Sequence, residues 1–531
     1  MGSQLPERPD LGQLRRQAKD LQRAANGGEA GALARIIAVL PATSSGERVP
    51  LAAAQLAIAR EHGFTSWPRL KTVTELLGMG PADRVDAFLE ASVGNGQARA
   101  ARMLADNPGL ATHDFRTALV LGDAARVHQL LKNRPELAHR PDARSGWPPL
   151  LGVCSSRWHQ IDPAREEGLL AVARILLDAG ADPMTSVGER GERVHCSALF
   201  GAAGTANNPS ITQLLLERGA RVDDHTVYLA AFHRDHRCLR LLLDHGADWA
   251  QSTALAAPIS QRDVEGVRLL LAAGVNPRRP LPAELLGEAY TDRPPVNPVG
   301  AAIEFDCSAE LVESLLAAGA DPDAPGLSGR SPHQTATAHG RYELLDMLAR
   351  HRAQDDSSEL DAALGALATA DRPKIDQLLT ADPGMPGRFT AADQAILCRA
   401  ADRGDAEAVR LMLDIGFPVA LRSTDDDGPT VLHLAAAAGS DQVVRLLLAR
   451  GADLEATDTT WDSTPLVWAS VGSGLHLGHN PSPDWVATVQ TLLDAGADTR
   501  NARPGPGKAP SDDVAALLLA HGIYPLDDND D

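Results

Sequence analysis

The chain has 531 residues, 44% hydrophobic but only 4% aromatic, with a formal net charge of −20 and a pI near 5.3. Length alone allows roughly three or four domains, yet apolar surface drawn from Ala, Leu and Val suits stacked helices better than several large cores. A surface this acidic repels phosphate backbones and argues against non-specific nucleic-acid binding; it suits a basic protein or peptide partner. The five cysteines (Cys154, Cys196, Cys238, Cys307 and Cys398) are odd in number and far apart, which argues against a disulfide framework. Residues 1–25 hold no apolar signal-peptide stretch, and no apolar run approaches the ~20 residues that span a bilayer. A reducing cytoplasm is the expected compartment.

At the N-terminus, Leu11, Leu14, Ala18 and Leu21 fall at helical spacing, with Arg15, Arg16, Lys19 and Arg23 on a solvated face. The chain breaks at Gly27-Gly28 and Pro41. A second helix is expected from Leu51 to Glu61, stopping at Gly63. Ser66-Trp67-Pro68 reads as the cap of a third helix through Leu77. Residues 1–80 are therefore expected to form a small helical head, with Phe64 and Trp67 in its core, either capping the helices downstream of it or docking a partner.

From residue 81 one block recurs: an apolar helix ending in Leu-Leu, two residues, then Gly-Ala-Asp. It occurs at Gly180, Gly246, Gly319, Gly451 and Gly496, with degenerate copies at Gly219, Gly274, Gly416 and Gly522. Other units stop on Asn107-Pro108, Arg134-Pro135 and Asp382-Pro383. Such a period is the mark of a solenoid. Gly just past a helix permits a left-handed residue, and the Asp opens a turn. Helices as apolar as Val443–Leu448 need a neighbouring repeat to cover them.

In the best copy, Thr430-Val431-Leu432-His433 precedes the small run Ala435–Ala438, then Gly439 and the Leu-rich helix. This resembles the Thr-Pro-Leu-His element and helix pair of ankyrin repeats; Ser331-Pro332-His333-Gln334 and Thr464-Pro465-Leu466-Val467 are similar. The resemblance covers residues 81–525, about 13 divergent units, with an acidic tail at 526–531. It implies an all-α solenoid whose Thr and His side chains tie each turn to the next. It also implies a concave groove, lined by inner helices, that binds protein or peptide as an adaptor or regulator. Segment 57–67 is similar to a head found before such arrays in many bacterial proteins.

The irregular units stand out. Gly219 to Gly246 spans 27 residues and Gly246 to Gly274 spans 28, short of the usual ~33, so these repeats have lost most of their hairpin finger. Gly274 to Gly319 and Gly451 to Gly496 each span 45 residues. Thr464 to Gly496 and Pro148 to Gly180 both span 32, against 21 from Thr430 to Gly451. Eleven extra residues are thus expected between the helices of two units, around 154–167 and 471–484. Long loops on a regular scaffold often carry function.

Large rings off the repeat core are candidate binding anchors: Trp147, Trp249 and Trp461 at turns, Trp158 and Trp485 in or beside the insertions. The same rings would also serve as wedges between irregular repeats. Tyr228 takes the position of His433 on an inner helix and joins this set. Asp224, His225 and Tyr228 are the densest acid–base group, open to proton-transfer chemistry in an unusual enzyme, although Asp223 and Asp224 also read as helix caps. His233 with His236, and His476 with His479, are too few and too poorly placed for the three or four ligands of a zinc site. No nucleophile elbow, Walker loop or dinucleotide turn is present. No metal or cofactor is expected.

Overall fold

The computed structural model describes residues 10–38, 49, 51–64, 67, 70–71, 74, 80–94, 96–188, 196–246, 249–287, 290–423, 428–458, 462–499 and 510–521. These divide into two compact units, Val85–Arg388, and Met1–Arg84 with Phe389–Asp531. Both are built from short antiparallel helix pairs.

The head has its own core. Leu14, Ala18, Leu21 and Ala25 of helix Leu11–Asn26 pack with Ala54, Ala57 and Ile58 of helix Leu51–Glu61. Trp67 joins this core and Phe64 lies against it. The chain turns at Gly27-Gly28 but does not stay irregular: Ala30–Ile37 forms a further helix, burying Ala32 and Ile36. Its Ala- and Ile-rich stretch is a competent helix former once a neighbour covers one stripe.

Outer helices end as their glycines dictate. Gly180, Gly219, Gly274, Gly319, Gly416, Gly451 and Gly496 all have φ between 84° and 102°, where a β-carbon is costly. Gly246 differs: its φ is −87°. Here a β-carbon would stand 1.7 Å from Trp249 Cζ2, so the ring is what demands glycine. Where Pro comes after the helix, Asn107, Arg134 and Asp382 turn extended, with ψ of 76° to 88°, as the residue before Pro must.

In the well-formed repeat, His433 is buried and holds two turns together. Its Nδ1 accepts from the Thr430 amide and hydroxyl, and its Nε2 faces the Ser463 carbonyl of the next unit at 2.9 Å. Val443, Val444 and Leu447 of the outer helix are fully buried, each worth about 1.5–3 kcal/mol.

The fingers are uneven. One is a true hairpin, Ser186–Val187 pairing antiparallel with Cys196–Ser197. Gly219 leads within five residues to helix Asp224–Ala230, without a finger. The extra length of the unit ending at Gly319 lies in its finger, closed by an antiparallel bridge between Leu281 and Val296. That long finger reaches back over the two stripped repeats: Tyr228 Oη donates to the Leu285 carbonyl at 2.8 Å, and Arg279 bonds Gln251. All five cysteines are free thiols, four of them buried. No helix among the described residues is long and apolar enough to cross a membrane.

Candidate binding cleft

Three inner helices stand side by side near the start of unit Val85–Arg388: Pro81–Val93, Phe115–Leu121 and Pro149–Cys154. With the segment Arg134–Pro148 they enclose a cleft of about 750 Å³. Its apolar surface includes Leu89, Val93, Leu119, Val120, Leu137 and the half-buried Trp147. The segment's tip is closed on itself. The Asp142 amide donates to the Trp147 carbonyl at 2.9 Å, and the Gly146 amide to the Asp142 carbonyl at 2.9 Å.

The polar side of the cleft is organised by Arg116. Its guanidinium reaches Asp86 at 2.8 Å, Asp114 at 2.9 Å and Asp142 at 3.4 Å. Burial alone would lower the Arg116 pKa, but hydrogen bonds to Asp114 and Asp86 and the charge of Asp142 outweigh it, so the group is held above its ordinary value. Asp142 is likewise desolvated, yet the Ser145 amide and hydroxyl, Arg116 and the Arg144 amide hold it below the usual carboxylate range. Arg144 takes the second oxygen of Asp86 at 2.6 Å. The carboxylates Asp86, Asp114 and Asp142 are thus bonded within the chain. Arg134 and Arg140 also line the cleft, are exposed, and form no ion pair among the described residues.

Of the anchor candidates, only Trp147 lines this cleft. Trp158 is 3% exposed and presents no face to a partner. Its ring lies 5.9 Å from Phe88 and under the Arg165 guanidinium, and its Nε1 donates to Ser92 Oγ at 3.0 Å. The loop carrying it is ordered by its neighbours: Ser156 Oγ donates to the Val120 carbonyl, the Arg157 amide to the Ser92 carbonyl and Arg165 to the Leu121 carbonyl. Trp158 is thus packed among Phe88, Ser92 and Arg165 instead of facing solvent. Trp249 is also buried, its ring against Gly246. Trp485 is half-buried, donating from Nε1 to the Ala437 carbonyl at 2.8 Å and meeting the His476 ring edge-on. Trp461 lies outside the described residues.

The acid–base group is occupied with holding the fold. One carboxylate oxygen of Asp224 accepts from Ser252 Oγ; the other accepts from the Thr253 amide and hydroxyl at 3.1 and 3.0 Å. Asp223 caps its helix through the Thr226 amide at 2.7 Å. Tyr228 donates its hydroxyl hydrogen bond to the Leu285 carbonyl, and burial raises its pKa. His225 is exposed and lies between the Phe200 and Tyr228 rings. A base at Asp224 and an acid at Tyr228 are therefore both spent on backbone and hydroxyl partners. His233 turns to the Gly204 carbonyl and His236 to Asp263, so the two do not converge. His479 pairs with Asp402 while His476 meets Trp485.

Sequence reasoning missed Asp86, Arg116, Arg134, Arg140 and Asp142. The available signal was the basic run Arg134, His139, Arg140 and Arg144, concentrated in one inter-helix segment beside Trp147.

A family model of ankyrin repeats matches three times, over residues 199–280, 364–458 and 397–502. The chain carries ankyrin repeats. Among curated proteins it is 27% identical to the potassium channel AKT2/3 of Arabidopsis thaliana over 161 residues, 30% of this chain and 20% of that protein. It is 24% identical to Rabankyrin-5 of Mus musculus over 222 residues, 41% of this chain and 19% of that protein. It is 26% identical to the B-cell lymphoma 3 protein of Homo sapiens over 192 residues, 34% of this chain and 40% of that protein. The chain thus spans less than half the length of these relatives. Among solved structures, the human ASB11 ankyrin repeat domain matches 46% of this chain and 98% of its own, at 18% identity and a TM-score of 0.20. An ankyrin repeat domain from Acinetobacter baumannii AYE matches 37% of this chain and 100% of its own, at 24% identity and a TM-score of 0.27. The cleft lies ahead of the three matched segments; the first two of its three helix units end in Asn107-Pro108 and Arg134-Pro135, the third in Gly180-Ala181-Asp182.

Proposed function

We propose that this ankyrin-repeat chain is an adaptor or regulator that holds a protein or peptide in the Trp147 cleft. The observation that carries this reading is the cleft's preorganisation. Arg116 fixes three carboxylates from successive repeats, leaving an apolar surface and a half-buried ring ready for a partner, which lowers the ordering cost of binding. Ankyrin repeats as a class mediate protein–protein contact, in keeping with this. The five free thiols suit a reducing compartment such as the cytoplasm, and the charge of −20 disfavours nucleic acid. The alternative, an enzyme at Asp224, His225 and Tyr228, lacks support because both Asp224 oxygens are already bonded.

The test is capture by the immobilised full chain, with bound proteins identified by mass spectrometry. Trp147→Ala is expected to lose the captured set while helical circular dichroism is unchanged. Capture that is indifferent to Trp147→Ala removes the cleft from the account.

A further inference from the structure

The hydrogen bonding of the cleft is lopsided. Asp86 accepts from Arg116 and Arg144, and Asp114 accepts from the Thr117 amide and from Arg116 through both Nε and Nη2. Asp142 accepts from the Ser145 amide, the Ser145 hydroxyl, the Arg144 amide and Arg116. Acceptor capacity on this side is largely filled. A guanidinium, by contrast, carries five N–H donors and no acceptor. Arg134 and Arg140 bracket the single helical turn Pro135–Ala138, both exposed, both lining the cleft and neither ion-paired among the described residues. Glu90, on the facing helix, is the lining acid that also stands without an ion pair among the described residues. Two open cations therefore oppose one open anion, and the cations share a rim with Trp147.

We propose that the cleft takes a peptide presenting a carboxylate close to an apolar side chain, the carboxylate on the Arg134–Arg140 turn and the apolar group against the half-buried Leu89, Leu137 and Trp147. This rests on the cleft being the binding site. It reverses the basic partner that the whole-chain charge suggests. The reversal is physical: at ordinary ionic strength charges beyond about 8 Å are screened, whereas a guanidinium–carboxylate contact is short, charge-assisted and often bidentate. Local donors then decide the partner, and the remote −20 charge slows its approach.

The experiment is a selection from a random peptide display library against the full chain, run in parallel on Trp147→Ala and on the double variant Arg134→Glu/Arg140→Glu. The expected result is enrichment of Asp or Glu beside Leu, Ile, Phe or Met, lost with either variant. Affinity of a selected peptide is expected to fall about tenfold or more per arginine replaced. Enriched peptides that are basic, or indifferent to the double variant, yet lost with Trp147→Ala, overturn this inference and leave the cleft as the binding site. Peptides indifferent to Trp147→Ala, or no enrichment at all, overturn both. Circular dichroism of each variant confirms that the fold is intact.

Discussion

The two insertions have the same length and the same position between the helices of a repeat, but they are used differently. Residues around Ser156–Arg165 and around His476–Asp484 both reach back to the carbonyl ends of the two preceding inner helices. The first bonds Val120, Leu121 and Ser92. The second bonds Asp402 through the His479 amide, Ala438 through Asn480 and Gly439 through the Asp484 amide. Each staples three consecutive repeats within its own unit. The difference lies in what the helix two repeats back offers. In the first case it offers Phe88 and Ser92, a socket for Trp158, and the ring is buried there. In the second it offers the Asp402 carboxylate, which draws His479 to the surface, and Leu475, Leu477 and Val486 stay exposed. The lesson is that an insertion's role is set by its distant socket rather than by its own composition.

The largest effect expected from this contrast is at Trp158. Trp158→Ala empties a buried site and removes the hydrogen bond from its Nε1 to Ser92 Oγ, and should cost about 3–5 kcal/mol in urea unfolding. Trp485→Ala removes a half-buried ring and one bond to Ala437, and should cost about half as much, ~2 kcal/mol. Equal losses would erase the distinction between wedge and surface staple.

Acidification sharpens it next. Burial lowers the pKa of His159, within the first insertion, and of His433, in the C-terminal repeats. A base whose folded pKa is depressed favours the folded state above its unfolded pKa of about 6.5 and loses that contribution as pH falls below it. Thermal midpoints should therefore fall between about pH 7.5 and pH 5.5. His159→Gln and His433→Gln should each flatten the profile, and a profile unchanged in both would refute the assignment. The smallest effect is at the surface pair. His479→Gln removes an exposed contact with Asp402 and should shift stability by about 0.5 kcal/mol or less. A loss above about 1 kcal/mol would mean that this pair carries the second staple.

The repeat is legible in the sequence because its signals are local. Glycine past a helix, the Thr–His cap at the turn, and an Ala run on the inner helix are each written within one unit of sequence, although His433 also reaches the Ser463 carbonyl of the next unit. The stripped fingers and the two insertions show in spacing alone. What covers the stripped repeats does not, since Tyr228 meets Leu285 from 57 residues away. Trp158 reads as a candidate anchor because its socket, Ser92, is 66 residues upstream. The cleft is hidden for the same reason. Arg116 is joined to Asp86 and Asp142 across 30 and 26 residues, about one repeat in each direction, and only stacking brings them together. Gly246 reads as a left-handed stop, although the Trp249 ring is what requires it.

The account's central claim is that partner binding resides in the Trp147 cleft while the insertions hold repeats together. Its most direct test is one affinity measurement, by titration of a cleft-selected peptide into folded wild type, Trp147→Ala and Trp485→Ala at equal concentration. The account predicts that Trp147→Ala abolishes binding with an unchanged melting temperature, and that Trp485→Ala melts earlier but binds as wild type. Binding lost with Trp485→Ala and kept with Trp147→Ala would contradict it.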